Sequence, residues 1–222
     1  MYSVFKFYKL IIKIKHKLTK TSQVFNLLLN LQVKFMYVHF FKPAFDFLVA
    51  FLALILLFPL LFLVVIILIY IHSGNPIFTQ KRIGQNAKVF TIYKFKTITQ
   101  SGITTFFLQK LRNYKIDELP QLLNILKFEM SLVGPRPDIP GYYDQLPHQY
   151  KPILDLKPGI TGYASLAFAN EEALLKKQTN PLKYNDEVIF PEKLKLNLQY
   201  REKISFAVDL QIIFKTLLLP FQ

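Results

Sequence analysis

The strongest constraint on this chain is a run of 25 residues, Phe47 to Ile71, that carries no charge: FLVAFLALILLFPLLFLVVIILIYI. A straight helix of that length would be about 37 Å long, enough to cross the hydrocarbon core of a bilayer. Pro59 stands at its centre, where it removes a backbone donor and crowds the preceding turn. Basic residues flank the run on both sides, Lys42 before it and Lys81 and Arg82 after it. Positive residues favour the cytoplasmic side of a membrane. A basic flank at each end therefore suits a helix that enters, bends at Pro59 and leaves on the same side. A Pro-kinked helix that crosses the bilayer has the same composition, and flank charge alone does not separate the two.

The charge balance points the same way. The net charge is +14, which invites a nucleic-acid reading. Residues 1–35, however, hold seven Lys and no acid, so half of the excess sits in the first sixth of the chain. A basic, apolar segment ahead of a long hydrophobic run suits an anionic membrane surface better than a nucleic acid. Within it, Phe5, Phe7, Ile12 and Ile14 alternate with Lys6, Lys13 and Lys15, and no small-residue cleavage site follows, which argues against a secretory signal. Either a surface-lying helix or strand, or an untranslated leader with Met36 as the true start, accounts for this segment. The chain has no Cys, which removes disulfides, thiolate nucleophiles and zinc–thiolate sites together. His16, His39, His72 and His148 are too scattered to form a ligand set, so any metal is expected on oxygen.

After Ile71 the sequence becomes globular. Ser73-Gly74-Asn75-Pro76 is a turn cluster. Val89 to Phe95 alternates as a short strand, placing Lys94 and Lys96 on one face. Asp117 precedes the amphipathic helical pattern LPQLLNILKF. Gly134-Pro135-Arg136-Pro137 breaks regular structure, and Lys157 to Gly162 reads as a second rigid turn. Further helical pattern runs from 182 to 216.

Asp117-Glu118-Leu119-Pro120 is the sharpest local feature. Two adjacent carboxylates at a helix start can hold Mg²⁺ and supply an oxygen nucleophile. The same residues also make a good helix start with no chemistry at all, Asp capping and Glu in the first turn. Basic residues gather around the pair: Lys94, Lys96, Arg112 and Arg136, the last fixed between two prolines. Arg takes phosphate in bidentate fashion and Lys as a point charge, so together they suggest a diphosphate–metal site. No glycine-rich nucleotide loop is present.

The order of the segments carries the most information. KPAFDF (42–47), the Pro-broken apolar run, FTQKRIGQ (78–85), IYKFKT (92–97), LRNYKIDELPQLLNIL (111–126), MSLVGPRPD (130–138) and KPGITGYAS (157–165) follow one another. This succession resembles the bacterial sugar transferase family, the small monotopic phosphoglycosyl transferases that act on polyprenyl phosphate. The similarity covers about residues 36–216. It implies an α+β fold, mainly helical, with a Pro-broken re-entrant membrane helix and a small cytosolic domain carrying amphipathic interfacial helices. The corresponding boundaries are a basic extension over 1–35, membrane entry and re-entrant helix over 36–72, and a catalytic domain over 73–222.

The resemblance also implies a reaction. Asp117 would attack the β-phosphate of a UDP-sugar, forming an aspartyl-phosphosugar and releasing UMP; polyprenyl (undecaprenyl) phosphate would then take the phosphosugar. Mg²⁺ near Asp117 and Glu118 would neutralise the diphosphate, and Arg112, Arg136, Lys94 and Lys96 would contact phosphate. The implied location is the cytosolic face of a bacterial inner membrane, at the first membrane step of a surface glycan. Membrane lipid is the expected surroundings, nucleic acid is not an expected partner, and a homodimer is left open. The sequence departs from the family in several places. Phe58 replaces the usual Ser before the helix-breaking Pro, Pro43 replaces an Arg, and the stretch between Thr97 and Arg112 is short. Many members continue the PGITG motif with a Gln and an Asn-Gly-Arg, whereas here Ser165-Leu166-Ala167-Phe168-Ala169-Asn170-Glu171-Glu172 follows. A catalytically inactive membrane scaffold is the competing class, against which the retention of Asp117, Glu118, Arg112 and Arg136 counts.

Overall fold

The structure, a computed structural model, describes residues 22–99 and 102–219. The Lys-and-apolar alternation of the first fifteen residues lies outside them. The chain divides into two compact units, one ending at Lys42 and one beginning at Pro43. The first contains helix α1 (Ser22–Met36) and a π-helical turn (Tyr37–Phe41). Phe25, Leu29, Leu31, Val33, Phe40 and Phe41 are exposed on it, and Tyr37 is buried.

The second unit is organised on helix α2 (Lys42–His72), which contains Pro59. Helical geometry persists on both sides of Pro59, so the break expected from the sequence is absorbed inside one helix. Proline forfeits one helical hydrogen bond, a loss that a long apolar helix tolerates when its surroundings support the backbone. Leu28–His72 is the one stretch among the described residues long and apolar enough to cross a membrane. Both halves of α2 nevertheless touch the globular part. Before Pro59, Ala50 is buried with Phe90, Ile92, Leu122, Ile125 and Met130, flanked by Ala53 and Leu54. After it, Val64 and Leu68 are buried with Phe95, Leu108 and Leu111. Between these contacts, Leu56 is 80% exposed and Phe58 63%.

Strands β1 (Ile77–Ile83) and β2 (Val89–Phe95) form an antiparallel hairpin, with Ile77 opposite Phe95 and Ile83 opposite Val89. Its buried positions, the alternating Phe90 and Ile92 and then Phe95 at the end of β2, meet α2. Helix α3 (Phe106–Asn113) starts at Thr105, whose hydroxyl oxygen accepts from the Leu108 N–H, the usual N-cap arrangement. A 3₁₀ turn (Ile116–Gln121) and the short helix α4 (Leu122–Leu126) follow. The helical pattern LPQLLNILKF expected after Asp117 is therefore a 3₁₀ turn plus one short helix. Pro120 lies inside the first segment, and Phe128 takes a left-handed conformation (φ 60°) just beyond the second.

Strands β3 (Ser131–Val133) and β4 (Gly159–Thr161) pair in parallel. The Lys157–Gly162 segment, expected as a turn, thus contributes a strand. The pairing requires two glycines: a side chain on Gly159 would collide with the Gly134 backbone, and one on Gly134 with the Lys157 carbonyl. Their closeness lets Gly134 N–H donate to Thr161 O and Gly159 N–H to Pro135 O, each at 2.8 Å. Helices α5 (Tyr163–Ala167), α6 (Glu171–Lys176), α7 (Pro181–Tyr184), α8 (Phe190–Lys203) and α9 (Phe206–Leu218) complete the unit. On α9, Ile212 is buried while Phe206, Leu210, Phe214 and Leu217 form an exposed apolar stripe at helical spacing. Among the described residues the fold is mainly helical with two small sheets, in agreement with the expected α+β class.

Candidate active site

Lys115 adopts a left-handed conformation (φ 56°) immediately before the 3₁₀ turn, and this kink sets both carboxyl groups of the turn inward. Asp117 is 8% exposed and Glu118 6%. Asp117 is not a helix cap: the residue at the cap position is Lys115, and no side chain caps the turn.

The two neighbours sit in opposite electrostatic situations. Glu118 Oε1 accepts from Lys94 Nζ at 2.9 Å, and Arg136 bonds both of its oxygens, from NH1 at 3.1 Å and NH2 at 2.5 Å. Burial by itself would push the Glu118 carboxyl up, but the Arg136 guanidinium and the Lys94 ammonium outweigh it and hold it well below the usual carboxylate range. Asp117 Oδ1, in contrast, is buried with no hydrogen-bond partner among the described residues. Burial, reinforced by the Glu118 charge, pushes Asp117 up to about 6 against the opposing pull of Lys94, Lys115 and Arg112. A buried oxygen without a partner is costly to maintain, and perturbed carboxyls of this kind concentrate at functional sites.

The remaining residues singled out from the sequence take different places. Lys94, on β2, reaches the site through Glu118. Lys96 lies just past the end of β2. Its backbone ties the hairpin to the end of α2, its carbonyl accepting from His72 Nε2 at 3.0 Å and its N–H donating to Pro76 O at 2.8 Å. No ion pair is seen for its side chain among the described residues. Arg112, in the last turn of α3, is close enough for its charge to act on Asp117, yet its NH2 is engaged by Glu172 Oε1 at 2.5 Å. Arg136 is fixed as its two prolines suggest. The segment after it is also clamped to β1, where Ile83 N–H donates to Asp138 O at 2.9 Å and Arg82 NH1 to Pro137 O at 3.4 Å.

Several supporting residues were not legible as such. Ser131 Oγ donates to Asp46 Oδ2 on α2 at 2.6 Å, and Tyr200 Oη to Asp209 Oδ1 at 2.7 Å. Both hydroxyls also reach Val133 O, one residue before the Gly134-Pro135-Arg136 loop, at 2.9 and 3.2 Å. Asn124 binds Thr91 O at 2.7 Å and Glu129 Oε2 at 2.8 Å, joining β2 to α4. An Asp inside an apolar helical run, as at 46 and 209, was the available signal.

For a metal, the residues offer one free carboxylate. No group of three or more His, Cys, Asp or Glu is placed to hold a cation among the described residues. Glu118, expected beside Asp117 as a second ligand, has its oxygens on two cationic side chains. Asp117 Oδ1 alone fits Mg²⁺, which commonly takes one or two carboxylates and completes its shell with substrate phosphates and water.

The bacterial sugar transferase family matches residues 37–222. The chain is 29% identical over 204 residues to the exopolysaccharide production protein ExoY of Sinorhizobium fredii, covering 79% of this chain and 83% of that protein. It is 32% identical over 163 residues to the uncharacterized sugar transferase EpsL of Bacillus subtilis, covering 68% and 73%. It is 33% identical over 197 residues to the undecaprenyl-phosphate glucose phosphotransferase of Komagataeibacter xylinus, covering 79% of this chain and 35% of that protein. Since the match encloses Lys94, Asp117, Arg136 and every residue that positions them, the chain belongs to the bacterial sugar transferase family.

Proposed function

We propose that this protein moves a sugar-1-phosphate from a UDP-sugar to undecaprenyl phosphate, with Asp117 as the nucleophile and UMP as the leaving group. A carboxylate oxygen of Asp117 attacks the β-phosphorus, and the bond from that phosphorus to the bridging oxygen breaks. UMP departs with the electron pair, leaving an aspartyl-phosphosugar. A phosphate oxygen of undecaprenyl phosphate then attacks the same phosphorus, restoring the Asp117 carboxylate and giving undecaprenyl-diphospho-sugar. The observation that carries this proposal is the unpartnered, buried Asp117 oxygen beside a Glu118 whose charge is already matched. A scaffold gains nothing from such an oxygen, whereas a nucleophile can use its free lone pairs for attack.

Arg136 and Lys94 hold Glu118 in place and keep positive charge beside the attacked phosphate; Arg112 supplies a further cation once it exchanges partners. Lys96 is the least constrained of the proposed phosphate contacts. Mg²⁺ bound at Asp117 would neutralise the diphosphate and improve the leaving group. The relatives' names support the acceptor: the Komagataeibacter xylinus protein is named for undecaprenyl phosphate and glucose, and that of Aeromonas hydrophila for undecaprenyl phosphate and N-acetylgalactosamine.

Placement at the cytosolic face of the inner membrane, with α2 re-entrant, belongs to the same proposal. The packing of both halves of α2 on one globular unit, with Leu56 and Phe58 exposed between them, supports it. Nucleotide release from a panel of UDP-sugars, with Mg²⁺ and undecaprenyl phosphate, tests the reaction. UMP from a donor, abolished by Asp117→Asn, is expected; UDP as the product, or an active Asp117→Asn variant, contradicts it.

A further inference from the structure

The two arginines proposed to meet phosphate are held by carboxylates of very different kinds. Arg136 is bound to both oxygens of Glu118, whose side chain is 7% exposed and which Lys94 also binds. The Arg136 side chain is itself 40% exposed, but its carboxylate partner is buried and bonded three times, so separating the pair would strand the Glu118 charge away from water. Arg112 is bound to a single oxygen of Glu172, with the two side chains 33% and 70% exposed. An exposed pair is worth ~0–1 kcal/mol, so a diphosphate with at least two negative charges outcompetes it. Glu172 is the second residue of α6, and Glu171, which opens that helix, is anchored separately, to Lys193 Nζ on α8 at 2.7 Å. Release of Glu172 therefore leaves the start of α6 tethered. The charge of Glu171 also reaches Arg136, and that of Arg112 reaches Asp117, so this acidic corner lies within the field of the reacting groups.

We propose that Glu172 is a positioning residue that occupies the Arg112 guanidinium as an internal stand-in for phosphate and yields it to the diphosphate of the donor. The competition sets donor affinity without entering the chemical step. It keeps Arg112 ordered and near Asp117 in the free enzyme, and it weakens binding of any anion too weakly charged to displace a carboxylate. This rests on Arg112 being a phosphate ligand in the proposed reaction.

The test combines calorimetric titration of inorganic pyrophosphate into the detergent-solubilised full chain with UMP-release kinetics. It compares wild type, Glu172→Gln, Glu172→Asp, Arg112→Gln and the Arg112→Gln/Glu172→Gln double variant. Glu172→Gln is expected to bind pyrophosphate up to about fivefold more tightly, the equivalent of ~1 kcal/mol. Its KM for the UDP-sugar is expected to fall by the same factor with kcat unchanged. Glu172→Asp retains the wild-type values, and in the Arg112→Gln background the Glu172→Gln change has no effect. Unchanged or weaker pyrophosphate binding in Glu172→Gln overturns the proposal, as does an equal effect in both backgrounds. If wild type releases no UMP while the pyrophosphate affinities shift as expected, the proposed reaction fails and the competition stands. If UMP is released but KM and pyrophosphate affinity ignore Glu172, the competition fails and the reaction stands.

Discussion

Asp117 and Glu118 are adjacent, similarly buried carboxyls, yet Glu118 is matched by Arg136 and Lys94 while the Oδ1 oxygen of Asp117 has no partner among the described residues. The first is held far below its ordinary range and the second pushed up to about 6. In the proposed reaction the first is the anchor and the second the nucleophile.

The raised Asp117 pKa predicts an acid limb in the rate. Only the carboxylate attacks, so kcat/KM for the UDP-sugar is expected to fall about tenfold per pH unit below about pH 6. A profile flat to pH 5 contradicts the assignment.

The same shift makes a stability prediction with a definite sign. The folded-state pKa of Asp117 lies above the ordinary 3.8, so its contribution to stability is full below about 3.8 and is lost as the pH rises through about 6. Asp117→Asn should therefore be inactive yet more stable at pH 7.5, by on the order of 3 kcal/mol. The gain should shrink towards zero as the pH approaches 3.8. Denaturant unfolding of both proteins across that range measures it.

Glu118→Gln is expected to cost about 3–5 kcal/mol, because it leaves the Arg136 and Lys94 charges without their counter-charge. Where enough folded protein survives to assay, its acid limb should move below pH 6. The Glu118 charge helps raise Asp117, and its loss leaves the opposing Lys94 unmatched. An acid limb that stays in place would show the two carboxyls to be uncoupled.

The chain contains no Cys, so single cysteines report topology directly. His39→Cys and Ser73→Cys bracket α2, and both positions are exposed. A re-entrant α2 predicts that a membrane-impermeant maleimide labels both from the cytosolic side and neither from outside. Labelling from opposite sides would make α2 a span.

What the sequence made legible was local. Strand β2 appears at its expected Val89–Phe95 because alternation is a nearest-neighbour signal. Asp117, Arg112, Arg136 and Lys94 could be singled out by residue type and by the order of segments. Which of them pair could not, since Arg112 and Glu172 are 60 residues apart and Asp46 and Ser131 85 apart. The strand at Gly159–Thr161 was hidden for a related reason. Its glycines exist to let Gly134 approach, and that partner lies in a different segment. Pro59 was read as the bend of the membrane helix, and it lies inside the continuous helix α2.

The most direct test of the central claim is intact mass measurement after mixing the protein with its UDP-sugar in the absence of undecaprenyl phosphate. A covalent nucleophile predicts one equivalent of UMP and a mass increase of one phosphosugar, mapped to the peptide containing Asp117 and discharged when undecaprenyl phosphate is added. UMP formed only when the acceptor is present, with no adduct in rapidly quenched samples, would mean direct transfer and would contradict the role assigned to Asp117.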